Sequence, residues 1–233
     1  MSYGNNTNAP NGFVPYSYMD GSLWTGQLEE YPIASGYGTC LFEGDPVTLL
    51  ADGTIGIGVA GSGIIGIFQG VTYTSSTGEP IFTNFWTAST ATQGSQNALA
   101  KVVADPNVLF DVQVASSSGG TVNPVAIAQT DINNNANFAV AATSYNPTSA
   151  PNAVTYAANP GSGNTTTGIS GYYLAHNTLN TTATLSLKLI RLTPKVGNVF
   201  SSGGTASGTI NFNNVLVLIN NHTLKGGTGT AGV

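Results

Sequence analysis

Residues 184–192 read TLSLKLIRL and carry the clearest secondary-structure pattern in the chain. Leu185, Leu187 and Leu189 fall on one face of this stretch and polar residues on the other, with the period of two that is typical of a half-buried β-strand. Residues 215–219, VLVLI, lack this alternation, which predicts a strand buried on both faces. Both stretches therefore indicate β-structure in the last quarter of the sequence.

The chain from residue 37 onward repeats the same arrangement of short apolar runs between turn signals. Asp45-Pro46, Asp52-Gly53 and Asp105-Pro106 are such signals, because Asp caps a turn, Pro presets its φ angle and Gly adopts positive φ. Few stretches could hold a helix. The spacing predicts an all-β fold, an antiparallel sandwich or barrel with long loops rich in Ser, Thr, Asn and Gly.

Composition shifts divide the 233 residues into three parts. Residues 1–34 are expected to form an extended N-terminal arm, and residues 35–225 to form the β domain. Within that domain, residues 115–168 are rich in Ser, Asn, Gly and Pro and predict long loops, a candidate outward knob. Residues 226–233 form a Gly-rich C-terminal tail.

Aromatic side chains in the arm are the candidate contact residues. The arm contains Phe13, Tyr16, Tyr18 and Trp24 but no sustained period of 2 or 3.6 residues. Because these rings have no periodic partner within the arm, we expect them to pack on a neighbouring chain or on the domain surface. The alternative is a frayed terminus.

Charge is scarce. The chain has 5 Lys and Arg and 10 Asp and Glu residues, 6% of its length, with a formal net charge of −5, against about 25% charged residues in an average globular protein. Five scattered cations cannot form a stripe that binds phosphates, so we expect no nucleic-acid binding. At 41% hydrophobic residues the chain is too apolar for a disordered protein and is expected to fold.

One stretch imitates a membrane span. Residues 53–71 carry no charge over 19 positions, but seven of these are glycines, which add no apolar surface and weaken a helix. Two short strands separated by a turn at residues 61–63 are the preferred interpretation, and no membrane association is expected. The first residues, MSYG, do not resemble a secretory signal, so synthesis and use without export are expected.

The motifs that suggest chemistry are weak. Residues 56–61 spell GxGxxG but do not precede a helix, and neither His176 nor His222 has a second ligand at metal spacing. Cys40 is the single cysteine and cannot form an internal disulfide. We therefore expect no catalytic, cofactor or metal site, and no enzyme.

Two further patterns have alternative interpretations. Three carboxylate pairs lie close enough in sequence to be considered for acid–base catalysis: Glu29 with Glu30, Glu43 with Asp45, and Asp105 with Asp111. Asp45 and Asp105 each precede a proline, however, and are typical turn formers. Phe82, Phe85 and Trp86 could form an aromatic platform for a sugar, whereas aromatic residues at strand spacing are more often part of a core.

Five short motifs in a fixed order carry a resemblance to a known family. They are YGT at 37–39, DPNVLFDVQ at 105–113, NTTTGISG at 164–171, LIRLTP at 189–194 and VLVLINNH at 215–222. Across residues 30–233 the chain resembles the β-rich capsid decoration (cement) proteins of tailed bacteriophages. The resemblance implies a structural virion protein, made in the host cytoplasm, that binds the capsid exterior.

The same resemblance implies the partners. The major capsid protein would be bound so that contacts between neighbouring capsomers are stabilised, and the protein would be a homo-oligomer, with a trimer favoured. The family offers no catalytic residues to transfer. The alternative function is an adhesive or carbohydrate-binding module of a phage tail or cell surface.

Overall fold

The computed structural model describes residues 9–118, 121–140, 163–200, 212–226 and 229–232. The fold is all-β, as the sequence predicts, with 48% of residues in strands and 5% in short 3₁₀ helices. The strands are β1 (Val14–Tyr18), β2 (Glu29–Ile33), β3 (Leu41–Phe42), β4 (Pro46–Leu49), β5 (Ile55–Ile57), β6 (Gly66–Thr74), β7 (Pro80–Thr83), β8 (Phe85–Trp86), β9 (Ala98–Val103), β10 (Val108–Ser118), β11 (Thr121–Asn123), β12 (Asn135–Val140), β13 (Gly163–Asn164), β14 (Ile169–Ser170), β15 (Tyr172–Asn180), β16 (Leu187–Leu192) and β17 (Asn214–Ile219). Three 3₁₀ turns accompany them, η1 (Gln93–Ser95), η2 (Gln129–Asp131) and η3 (Thr223–Lys225).

Five strands of the first sheet close into a barrel in the order β10-β15-β12-β16-β17, with β17 pairing back to β10. Four of the five pairings are antiparallel and β10–β15 is parallel, through Val114↔Leu174 and Ala115↔Ala175. A closed ring with an odd number of strands cannot alternate in direction all the way round, so one parallel pair is required. β1 and β11 extend this sheet beside β10.

The two stretches that predicted strands both lie in the barrel wall. Leu187 and Leu189 of β16 and Val215, Val217 and Ile219 of β17 point into its core. Leu216, on the other face of β17, is also buried, in agreement with the lack of alternation in VLVLI. Leu185 was predicted to continue the row of Leu187 and Leu189, but it is not part of the barrel core. It lies in a bend before β16 begins.

The second sheet is antiparallel throughout, in the order β2-β9-β6-β4-β5, with β7 also pairing with β6. Its apolar face encloses a second core around Ile33, Phe68, Val102 and Trp86. β2 and β5, at the two ends of the sheet, lie near each other, and the Ile57 amide donates to Tyr37 Oη at 2.9 Å. Tyr37 thus joins β5 to the segment that follows β2.

Residues 53–71 form β5, a turn and the first part of β6, which confirms the prediction of two strands. The GxGxxG match lies in β5 and this turn, and no helix follows it. Among the residues that the structure describes, no helix has the length and apolar character needed to cross a bilayer.

The barrel and the second sheet pack directly on each other. Ile67 of β6, Val103 of β9 and Ile64, which precedes β6, all belong to the barrel core. Ile64 pairs with His222 in a parallel bridge, and the Gly61 amide donates to Ser186 Oγ at 2.8 Å. Ser186, expected on the polar face of a strand, is buried because it serves this junction.

The N-terminal segment contributes a strand to each sheet. β1 pairs with β10 and β2 pairs with β9, so residues 14–18 and 29–33 of the predicted arm are sheet strands. Gly12, with a φ of 68°, allows the entering chain to pass Gly44, since a Cβ there would lie 2.6 Å from the Gly44 carbonyl oxygen. Residues 1–8 of the predicted arm lie outside the described residues.

The predicted loop region and tail are partly described. Within 115–168 the structure places the end of β10, β11, η2, β12 and β13, whereas residues 119–120 and 141–162 lie outside the described ranges. In the predicted tail, the Thr230 amide donates to Asn220 Oδ1 at 2.9 Å and Gly232 to the Thr181 carbonyl at 2.9 Å. Residues 229–232 therefore lie against the barrel, and residues 227, 228 and 233 are not described.

Candidate functional site

The structure separates the four predicted contact residues into two environments. Phe13 is fully buried in the barrel core, with edge-to-face contacts to Phe110 at 6.5 Å and Phe138 at 6.1 Å between ring centroids. Tyr18 and Trp24 are half-buried against the same core. Tyr16 is 36% exposed. Of the four, Tyr16 is the ring most available to another chain.

A β-bulge explains the position of Tyr16. Pro15 pairs with Phe110 and Ser17 with Leu109, so Tyr16 is the extra residue of β1 and has no partner opposite it in β10. A bulge bends the strand and redirects the side chain of the extra residue. Ser17 is buried while Tyr16 faces outward.

The turn that follows β1 exposes further apolar side chains. The Tyr18 amide donates to the Ser22 carbonyl at 2.9 Å, and the Ser22 amide donates to Asp20 Oδ1 at 2.9 Å, which fixes a tight turn. Met19 and Leu23 are 55% and 75% exposed. We call the exposed apolar residues of 14–28 the N-terminal apolar segment: Val14, Tyr16, Met19, Leu23 and Leu28.

Sequence reasoning found one member of this segment and missed the others. It selected aromatic rings. Met19 and Leu23 lie instead at the turn after β1, where Leu23 forms an isolated antiparallel bridge with Ser17. The Asp20-Gly21 pair between them was an available signal, since such a pair favours a turn and a turn displays its neighbours.

A second surface is a groove on the outer face of the second sheet. Leu99 of β9, Thr72 of β6 and Phe82 of β7 lie side by side across three strands. Their strand neighbours Ala98, Ala100 and Val71 point into the core, so this row faces outward. The groove has a volume of about 280 Å³ and is lined by Thr72, Tyr73, Thr74, Pro80, Ile81, Phe82, Thr92, Gln93, Gln96, Asn97 and Leu99.

The loop of residues 87–97 forms one wall of this groove and is held at several points. The Gly36 amide donates to the Thr90 carbonyl at 2.8 Å, the Ser89 amide to the Tyr37 carbonyl at 2.7 Å, and the Thr92 amide to Ser35 Oγ at 3.2 Å. Ser89 and Ser95 have φ angles of 60° and 57°, a conformation that costs energy for residues other than glycine. The loop is thus fixed in an unusual backbone shape.

The three aromatic residues considered as a sugar platform do not share a surface. Trp86 is fully buried and its Nε1 donates to the Tyr37 carbonyl at 3.2 Å. Phe85 stacks on Phe42 with 6.0 Å between ring centroids. Phe82 alone among them is exposed, at 77%.

No family model, curated protein or solved structure matches this chain. The N-terminal apolar segment and the groove are therefore assessed from their own chemistry. The five side chains of the N-terminal apolar segment and the eleven that line the groove are all uncharged.

The carboxylates considered as acid–base pairs have structural partners. Asp111 is nearly buried and accepts from Thr193 Oγ1 at 2.6 Å, from Asn214 Nδ2 at 3.2 Å and from Lys195 Nζ. Asp45 accepts from the Phe42 amide at 2.9 Å and Asp105 from the Asn107 amide at 2.8 Å, as expected for turn formers.

The remaining titratable groups do not form a metal centre. Within the described ranges, no group of three His, Cys, Asp or Glu side chains could hold a metal ion. His176 Nε2 lies 3.6 Å from Asp131, and Glu30 pairs with Lys101. Cys40 is buried and free.

Proposed function

We propose that this chain is a structural virion protein that binds the exterior of a bacteriophage capsid and stabilises contacts between capsomers. Its partner would be the major capsid protein, and the protein would act as a homo-oligomer, a trimer by its family resemblance. The single observation that carries the proposal is the N-terminal apolar segment, where five large apolar side chains are exposed within 15 residues.

An exposed apolar segment is suited to burial against another protein. Fully burying a Leu or Met side chain contributes about 1.5–3 kcal/mol, so Met19 and Leu23 together could supply several kcal/mol of binding energy. The segment is also positioned rigidly, because β1 is paired with β10 and Phe13 anchors its start in the barrel core. A rigid apolar surface loses little conformational entropy on binding.

The scarcity of charge suits a protein that is present in many neighbouring copies. Repeated like charges at short spacing repel one another, and this chain carries a net charge of only −5 over 233 residues. Two of its five cations are neutralised within the chain, Lys101 by Glu30 and Lys195 by Asp111. Dense packing on a shell would therefore cost little electrostatic energy.

The test uses particles of the phage that encodes the chain, assembled without it. We expect the full chain to co-sediment with these particles and to raise the temperature at which they lose their DNA. The variant Met19→Ser/Leu23→Ser should bind at least about tenfold more weakly. A tenfold change in affinity corresponds to about 1.4 kcal/mol, which is no more than the burial of one of these side chains contributes.

The control replaces equally exposed apolar residues elsewhere. Val59 is 60% and Val196 is 99% exposed, and neither lies in the N-terminal apolar segment. Val59→Ser/Val196→Ser should bind the particles like the unmodified chain. Failure of the unmodified chain to bind contradicts the proposed function, and equal binding by both variants contradicts the role of the segment.

A further inference from the structure

We propose that the groove between β7 and the loop of residues 87–97 binds an uncharged oligosaccharide, with one sugar ring against Phe82. This activity goes beyond capsid attachment and uses a different surface. The groove lies on the outer face of the second sheet, whereas the N-terminal apolar segment begins on β1 of the first sheet.

Phe82 supplies the apolar contact. It is 77% exposed although it is a large aromatic residue, and it continues the outward-facing row of Leu99 and Thr72. An aromatic face that is free of protein contacts can take the apolar C–H face of a sugar ring by stacking. The aliphatic Leu99 extends this platform across β9.

Side-chain amides supply the polar contacts. Gln93, Gln96 and Asn97 line the groove and are exposed, and their side chains make no hydrogen bond within the described part of the chain. Each amide offers two donors and an acceptor oxygen, which is the combination that adjacent sugar hydroxyls can use. Together with Phe82 they give the groove both a surface for stacking and groups for hydrogen bonding.

The absence of charge on the lining selects a neutral ligand. None of the eleven lining residues is Asp, Glu, Lys, Arg or His. Glu79 precedes the lining residue Pro80 without being part of the lining itself, and Glu30 of β2 and Lys101 of β9 pair with each other. A carboxylate or sulfate that entered the groove would lose hydration without gaining a counter-charge, which is unfavourable.

The fixed loop lowers the cost of binding. Its backbone is held by hydrogen bonds from Gly36, Ser89 and Thr92, and it contains two of the three non-glycine residues with positive φ in the described chain. Strained backbone of this kind often occurs at ligand sites. A backbone that is already ordered loses little further entropy when a sugar binds, so the cost is confined to the side chains.

The test measures binding of the full chain to neutral cello-, malto-, manno- and chito-oligosaccharides by saturation-transfer NMR, beside sialylated and sulfated glycans. We expect at least one neutral series to bind. Phe82→Ala should weaken that binding by about tenfold or more, Phe82→Trp should retain it, and Gln96→Ala should weaken it severalfold.

The matched control is Leu23→Ala, an equally exposed apolar residue at the other surface. It should bind the neutral glycan normally, while Phe82→Ala should co-sediment with capsids normally, so the two proposals fail independently. Thermal unfolding of each variant checks folding. The inference is overturned if no neutral glycan binds, if the charged glycans bind instead, or if Phe82→Ala binds as well as the unmodified chain.

Discussion

Phe13 shows at the scale of one residue how the N-terminal segment is attached. Its ring is fully buried between Phe110 and Phe138 in the barrel core. Truncating a buried Phe removes apolar contacts and leaves a cavity, which costs about 3–5 kcal/mol. We expect Phe13→Ala to lower the free energy of unfolding of the whole molecule by this amount, measured by chemical denaturation.

Tyr16 is the matched control for this substitution. It lies three residues away in the same segment but points outward at a bulge. Tyr16→Ala should change the free energy of unfolding by less than about 1 kcal/mol. Similar losses for the two variants would show that Phe13 is not part of the barrel core.

Sequence reasoning could not separate these two rings. Both are aromatic, both lie beside proline-rich sequence and neither has a periodic partner nearby. The difference arises from Gly12 and Gly44, whose close approach directs the chain into the barrel, and from the bulge at Tyr16. Such contacts join residues that are far apart in sequence, so no local pattern encodes them.

At the scale of elements, strands with clear apolar patterns were predictable and their partners were not. β16 and β17 follow from leucine and valine patterns over six residues each. The parallel β10–β15 pair, which closes the barrel, joins residues about 60 positions apart and has no local signal. The groove was also not predictable, because β7 and η1 line it together only through the pairing of β6 with β7 and β9.

The short η3 turn gives a prediction about pH. His222 precedes it, and its Nδ1 accepts from the Leu224 amide at 3.1 Å. Burial, aided by the Lys225 charge, lowers the pKa of His222 to about 4, against smaller opposing contributions from Ala104, Asp105 and Glu29. Because the unfolded pKa is 6.5, the unfolded chain binds this proton first as pH falls.

The stabilisation from neutral His222 is therefore complete above about pH 6.5 and is lost as the pH falls toward about 4. We expect the free energy of unfolding to be smaller at about pH 5 than at about pH 7.5. His222→Asn retains a side-chain acceptor for the Leu224 amide and should show a smaller decrease. An identical pH dependence in the two proteins would contradict this assignment.

At the scale of the whole molecule, the exposed strand edges bear on self-association. The first sheet is closed over its five barrel strands, which leaves no free edge there. β2, at an end of the second sheet, carries Glu29, Glu30 and Pro32, and charged residues and proline discourage pairing with another strand. Neither the barrel strands nor β2 therefore favours contact between subunits by extension of a sheet.

Light scattering on the purified chain tests the proposed trimer. We expect a mass three times that of the 23.7 kDa chain at micromolar concentration, because closed symmetric assemblies cover apolar surface without forming fibres. Met19→Ser/Leu23→Ser should remain trimeric, since we assign the N-terminal apolar segment to the capsid contact. A monomeric unmodified chain would contradict the oligomer. Dissociation of the variant alone would place the segment between subunits, and its weaker capsid binding would then follow from lost multivalency.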